Sequence, residues 1–196
     1  MSRTTTLVLV ALGAALAGVV FSSAAERLQG GHEQEPASAA AGPQRAELGW
    51  RETLGSGSER LVFAVESLEV VPGGWRARIS LENDTSVAYG VGDPRATVDR
   101  SFGLMLFSSG EAAELERLNA RGELPALRRA DRYEPELPAV LEPRSSWEGV
   151  ISATGALVAG SWVRVVFGAL VAVGRTPEGL PERVVWITDH AYRLRP

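Results

Sequence analysis

The stretch from Leu61 to Asn83 constrains the fold of this chain most strongly, because it has the pattern of a β-hairpin. Apolar residues recur through residues 61–71, and a slip of phase at Glu66-Ser67 predicts a β-bulge. Pro72-Gly73-Gly74 then supplies a fixed φ followed by positions that tolerate positive φ, which suits a chain reversal. Apolar and polar residues alternate through residues 75–81, so we expect this strand to have one face in the core and one in water.

The composition is that of a globular protein. Hydrophobic residues make up 45% and charged residues 22% of the 196 residues, which is enough for one domain with a packed core. Acidic residues outnumber basic residues by 24 to 20, and no basic run is present, so nucleic acid is not expected as a partner. The absence of cysteine excludes disulfides, thiolate nucleophiles and cysteine-ligated metal sites.

Residues 4–25 carry no charge and are mostly apolar, and they follow Arg3. This pattern predicts a signal peptide over residues 1–25, with Ser23 and Ala25 as the small residues before a cleavage site. The alternative is an uncleaved helical anchor, since about 20 apolar residues span a bilayer. Both alternatives place the protein outside the cytoplasm, either secreted or tethered to the membrane by residues 4–25 alone.

Residues 26–58 mix Ala, Gly, Ser, Pro, Gln and Glu and offer little apolar surface to bury. This composition predicts a flexible linker. The folded domain is therefore expected over residues 59–196.

One helix is expected within the domain. Ser108 with Glu111 matches a capping box, Leu115 and Leu118 fall on one helical face, and Gly122 is placed to end the helix. Prolines recur through residues 123–144, so this segment is predicted to be a loop without regular structure.

The longest strand candidate is residues 161–173. One face of it carries Val163, Val165 and Phe167, and the other face also carries apolar residues, which is typical of a central strand. Shorter strands are predicted at residues 87–91, 102–107, 147–152, 184–187 and 191–194. Many short strands with a single helix favour a mainly β fold, an antiparallel β-sandwich with one short inserted helix, preceded by an N-terminal hydrophobic helix.

The order of leader, polar tether and single β-domain resembles that of the immunoglobulin-like β-sandwich domains of secreted or membrane-tethered bacterial proteins. The resemblance covers residues 61–194 and implies an immunoglobulin-like sandwich. It rests on layout and carries no functional residue with it.

Few side chains offer reactive chemistry. His190 follows Asp189, and adjacent residues of a strand point to opposite faces, so Asp189 is badly placed to orient His190 in a catalytic triad. Asp84, Asp93 and Asp99 lie in predicted loops and have the oxygen ligands that Ca²⁺ prefers, but Asp at a turn more often binds local backbone N–H groups. We therefore predict no catalytic, cofactor-binding or metal-binding residue.

The aromatic residues are expected mainly in the core, because each buried indole removes a large apolar area from water. Trp162 is the expected exception, since it shares a strand face with Arg164. The expected core set is Trp75, Trp147, Trp186 and Phe167.

Three functional hypotheses follow. The first is a non-enzymatic extracytoplasmic binding or accessory module of the cell envelope, whose partner is a protein or another envelope component. Residues 109–144 are the expected contact surface, because a minimal sandwich does not require them. The second is a secreted hydrolase that uses two carboxylates among Asp84, Asp93, Asp99 and Glu148. The third is a structural envelope protein that assembles through a sheet edge.

Overall fold

The computed structural model describes residues 39–92 and 102–196. In this part of the chain the fold is mainly β, with antiparallel strands and one helix, as predicted. The predicted signal peptide or anchor, Asp93 and Asp99 lie outside the described residues. No helix within the described ranges is long and apolar enough to cross a membrane.

The strands form two sheets that enclose one core. In chain order the elements are β1 (Gln44–Ser56), β2 (Glu59–Val71), β3 (Gly74–Asp84), β4 (Ala88–Val91), β5 (Gly103–Phe107), α1 (Ala112–Arg121), β6 (Arg128–Arg129), β7 (Arg132–Glu134), β8 (Val140–Leu141), β9 (Ser145–Thr154), β10 (Trp162–Val173), β11 (Arg183–Ile187) and β12 (Tyr192–Arg193). The first sheet has the order β1-β2-β3-β9-β7, and the second has the order β6-β5-β10-β4-β8, with β11 and β12 also paired to β10. Buried side chains from both sheets belong to the same hydrophobic cluster.

Strand β10 is the centre of the second sheet, as predicted. It pairs with β5 and then β4 along one edge, and with β12 and then β11 along the other. Val163, Val165 and Phe167 are each 0% exposed and belong to the shared core. Gly168 interrupts the pairing with a φ of +146°, and a Cβ there would lie 3.0 Å from the Val185 Cα atom. Glycine is therefore required at this break in the strand.

Strands β2 and β3 form the predicted hairpin. Their register shifts between Val65 and Ser67, where Glu66 is the extra residue, so the predicted bulge is confirmed. Gly73 adopts a φ of +77° at the turn. Trp75, the second residue of β3, is 1% exposed and packs in the core.

Strand β1 shows that the prediction of a flexible linker over residues 26–58 is wrong for residues 44–56. These residues pair along β2 and form an edge of the first sheet. Leu54 is 4% exposed, and Leu48 and Trp50 pack against the core. The apolar alternation is broken because Glu52 occupies the core-facing position between Trp50 and Leu54. The folded domain therefore begins before residue 59.

The helix α1 ends as predicted but begins differently. Its N-cap is Glu111, which makes no side-chain cap hydrogen bond, so the predicted capping box of Ser108 and Glu111 is wrong. Glu114, rather than Glu111, accepts the hydrogen bonds from the residues before the helix. Its carboxylate binds the Ser108 hydroxyl and, at 2.8 Å, the Ser109 backbone N–H. Gly122 ends the helix with a φ of 69°.

Helix α1 packs on the outer face of the second sheet. Leu115 contacts a second buried cluster that contains Phe107 of β5, Val166 of β10 and Ile187 of β11. Leu124, after the helix, packs against the same cluster. The helix and the segment after it therefore remove this outer face from water.

The prediction that residues 123–144 lack regular structure is wrong. The segment contains the short strands β6, β7 and β8. Pro125 precedes β6, Pro135 and Pro138 lie between β7 and β8, and Pro143 follows β8. Proline cannot donate a backbone hydrogen bond, so the prolines limit the length of each strand without preventing its pairing.

We expect a fragment of residues 59–196 to be much less stable than a fragment of residues 39–196. The shorter fragment lacks β1, and with it the burial of Leu54, worth about 2 kcal/mol, and the buried carboxylate of Glu52. Urea unfolding followed by tryptophan fluorescence should show a loss on the order of 5 kcal/mol, or no cooperative transition. Equal midpoints for the two fragments would contradict the assignment of β1 to the domain.

Candidate binding site

The outer face of the first sheet is exposed and charged. The strands are in register, so side chains from all five strands form rows across this face, and the residues between them point into the core. One row consists of Arg45, Glu69, Arg76, Ser152 and Arg132. The next row consists of Glu47, Ser67, Arg78, Val150 and Glu134.

Ion pairs connect many of these side chains. Those on β1, β2, β3 and β9 lie at N–O distances of 2.7 to 3.7 Å, with both partners substantially exposed. Exposed pairs of this kind each contribute about 0–1 kcal/mol, so the fold does not depend on them. The pairs are Arg45–Glu47, Arg51–Glu82, Arg76–Glu69, Arg78–Glu66 and Arg78–Glu148.

A groove with a volume of about 330 Å³ opens at one end of this face. The turn between β2 and β3 forms one wall, β7 with Asp131 forms the other, and the end of β9 forms the floor. Ser152 lies on the floor, opposite Arg76 on one side and Arg132 on the other. A smaller cavity of about 180 Å³ adjoins the groove and shares Arg76 and Glu134 with it.

Two charged side chains of the groove, Arg132 and Glu134, make no hydrogen bond or ion pair with any residue that the structure describes. Neighbouring strands lie about 4.8 Å apart, so the Cα atoms of Arg76 and Arg132 are about 10 Å apart across Ser152. Guanidinium groups on both sides of a hydroxyl are suited to binding an anionic group between them.

A second polar cluster surrounds Glu52, which is 8% exposed. Its carboxylate accepts hydrogen bonds from the Trp186 indole N–H at 2.6 Å and from the backbone N–H groups of Asp189 at 2.9 Å and His190 at 3.2 Å. The His190 Nδ1 atom also lies 2.8 Å from Glu52, and the Trp50 ring stacks on the imidazole at a centroid distance of 5.7 Å. The cluster holds residues 188–190 against β1, which gives Glu52 a structural role.

Arg164 binds the same turn from the other side and is 0% exposed. Its guanidinium donates to the carbonyl oxygens of Thr188 at 2.7 Å and of Asp189. It also donates to the carbonyl oxygens of Gly110 at 3.0 Å and Glu111 at 3.1 Å, just before α1. Burial lowers the pKa of Arg164 from its ordinary value, and nearby acidic groups oppose that shift.

No protein-family model, curated protein or solved structure matches this chain. The chemistry of the site is therefore inferred from its own geometry.

The carboxylates of the hydrolase hypothesis are not brought together where the structure describes them. Asp84 pairs with Arg60 at 2.9 Å, and Glu148 pairs with Arg78 at 3.4 Å. Glu148 lies opposite Ser80, so about four residues, or about 13 Å, separate it from Asp84 along β3. Paired catalytic carboxylates of glycosidases are about 5–10 Å apart. Within the described ranges no group of three or more His, Cys, Asp or Glu residues could hold a metal ion.

The aromatic residues predicted for the core are buried there. The four aromatic residues assigned to the core are 0–6% exposed, and Trp162 packs beside the second cluster, under the start of α1.

Glu52, whose carboxylate contacts His190, was not predicted from the sequence. It could have been found as a charged residue at an apolar position of an alternating pattern. Arg76, Arg132 and Ser152 were also missed, since only the strand register brings them together.

We expect Glu52→Ala to destabilise the fold by about 3 kcal/mol or more, because it leaves the buried Trp186 indole N–H and the partly buried backbone N–H groups of Asp189 and His190 without an acceptor. The matched control is Glu82→Ala, which removes a partly exposed carboxylate paired with Arg51 on the outer face of the first sheet and should cost about 1 kcal/mol or less. Urea unfolding measures both losses, and near-ultraviolet circular dichroism reports on Trp186. Equal losses for the two variants would contradict the anchoring role of Glu52.

We expect Asp189→Asn to increase the stability of the protein most at neutral pH. Partial burial of the Asp189 carboxyl group, and then the charge of Glu52, raise its pKa, while Arg164 and His190 oppose the rise. The folded state therefore holds the proton more tightly than the unfolded state, and stability is lost as the pH rises through the folded-state pKa. Urea unfolding from about pH 4 to about pH 8 should show that the free energy of unfolding of the variant, relative to that of the wild type, increases with pH.

The control for removal of one negative charge is Asp131→Asn, at an exposed position. A gain for Asp189→Asn that is the same at every pH would show that the raised pKa is not its cause.

Proposed function

We propose that this protein is a non-enzymatic binding or accessory module held outside the cytoplasm, which recognises a protein or another envelope component through the outer face of the first sheet. The observation that carries the proposal is the groove between the β2–β3 turn and β7, where Arg132 and Glu134 have no partner among the described residues. Leaving two charges unpaired beside a concave surface contributes nothing to folding. Both side chains are exposed, so their charges are available to a binding partner.

Residues 109–144, the contact surface expected from the sequence, divide into two parts. The first part, α1 with Leu124 and Leu127, packs on the second sheet, which accounts for its presence in the fold. The second part supplies Asp131 and β7 to the groove. The proposed contact surface therefore keeps the second part and adds β3 and β9.

The finer fold assignment, an immunoglobulin-like sandwich, remains a prediction. The two sheets around one core support it. The consecutive neighbours β1, β2 and β3 count against it, because the corresponding sheet of an immunoglobulin domain has the strand order A-B-E-D.

The two alternative functions receive less support. The described carboxylates of the hydrolase hypothesis are separate, and each is paired with an arginine. Assembly through a sheet edge would use β1, but that strand has a register irregularity between Glu47 and Trp50 and carries the inward-pointing charge of Glu52. Both features are devices that oppose edge-to-edge pairing.

Site-specific photocrosslinking in the native cell envelope tests the proposal. A photoreactive residue is placed in the full-length chain at Ser152 on the groove floor or at Glu148 on the charged face. The matched control position is Arg117, which is exposed on α1. We expect a discrete adduct with one envelope component from Ser152 and Glu148, and none from Arg117.

Adducts from Arg117 alone would move the contact surface to the helix and contradict the proposal. The absence of adducts from all three positions, with the protein located in the envelope, would contradict a binding role for this face.

A further inference from the structure

We propose that the groove binds the carboxylate end of a short peptide, with Arg76 and Arg132 on the carboxylate and with Asp131 or Glu134 on a nearby ammonium group. This inference rests on the proposed function and names the chemical class of its ligand. It uses the placement of two guanidinium groups on either side of the Ser152 hydroxyl in this groove.

The arginines are placed for a carboxylate. Arg132 has no partner in the described ranges, and Arg76 has an exposed ion pair with Glu69 at an N–O distance of 3.3 Å, which costs little to exchange for a ligand. Guanidinium groups form parallel hydrogen bonds with both oxygens of a carboxylate, so the pair provides orientation as well as charge. The Ser152 hydroxyl between them can donate a further hydrogen bond.

The acidic residues in the groove disfavour a ligand that carries only negative charge. Asp131 and Glu134 line the same wall as Arg132. They repel a polyanion, and the protein as a whole carries a formal net charge of −4, which adds to that repulsion. A ligand with one carboxylate and one ammonium group satisfies both signs of charge, and a free peptide has both.

The groove has the size and rigidity for such a ligand. Its volume of about 330 Å³ lies at the lower end of the range for small-molecule sites, about 300–1,000 Å³. Both walls are tied to the floor strand, since the Gly155 N–H donates to the Gly73 carbonyl at 2.8 Å and the Asp131 N–H donates to the Ser152 carbonyl at 2.9 Å. A groove fixed in this way loses little conformational entropy when a ligand binds.

Isothermal titration of the full-length protein in mild detergent tests the inference with four probes. They are trialanine, trialanine with a C-terminal amide, N-acetyl-trialanine and inorganic phosphate. We expect trialanine to bind and the amide to bind about 10- to 100-fold more weakly, because the amide loses charge-assisted hydrogen bonds to both arginines. The N-acetyl form should lose less affinity, and phosphate should bind more weakly than trialanine.

Variants identify the groups responsible. Arg132→Gln and Arg76→Gln should each weaken trialanine binding about tenfold and leave affinity for the amide unchanged. Arg51→Gln is the matched control, because Arg51 lies on the same sheet face outside the groove and is paired with Glu82. It should leave trialanine binding unchanged, and urea unfolding should show all three variants folded.

Equal affinity for trialanine and its amide would overturn the inference, as would an unchanged affinity in Arg132→Gln. Phosphate binding as tightly as trialanine would also overturn it, in favour of a site for any small anion. Crosslinks through Ser152 without trialanine binding would overturn the peptide inference and leave the proposed function standing. Trialanine binding without crosslinks would support the groove chemistry while the proposed function fails.

Discussion

Two buried charges satisfy the backbone of one turn, and the arrangement of the fold depends on that turn. The Glu52 carboxylate accepts the backbone N–H groups of Asp189 and His190, while the Arg164 guanidinium donates to the carbonyl oxygens of Thr188 and Asp189. Glu52 comes from the edge strand of the first sheet and Arg164 from the central strand of the second. Buried charges are tolerated when hydrogen bonds replace the lost water, and here the peptide dipoles of a shared turn supply part of that compensation to both charges. Arg164 also reaches the residues before α1, so the turn links both sheets and the helix.

This long-range dependence separates what the sequence could predict from what it could not. The β2–β3 hairpin, its bulge and the central strand β10 were predictable, because their apolar periods and turn residues are local signals. Strand β1 was missed because its alternation of Ala46, Leu48, Trp50 and Leu54 is interrupted by Glu52. The partners that make a glutamate acceptable there, such as Trp186, lie more than a hundred residues further along the chain. A local pattern cannot represent an interaction of that range.

The candidate site was even less predictable, because its residues come together only through the register in which the strands pair. Arg76, Ser152 and Arg132 come from three strands, and only their pairing places them side by side. Residues 109–144 were predicted to be the contact surface, and β7 within them lines the groove. Its three residues, with Pro135 directly after them, gave no recognisable strand signal. A slip of one residue in that pairing would turn Arg132 towards the core, so the site exists only as long as the register holds.

The two outer faces of the fold are under different constraints. On the second sheet, Leu115 and its neighbours bury apolar area, so a substitution there acts on stability directly. On the first sheet, the arginine and glutamate side chains are exposed and their ion pairs contribute little to stability. Charges on that face can therefore change without loss of the fold, provided that the inward residues of the same strands stay apolar. Substitutions on this face are therefore constrained less by folding than by any partner that binds there. Arg132 and Glu134, which have no partner among the described residues, lie on this face beside the groove.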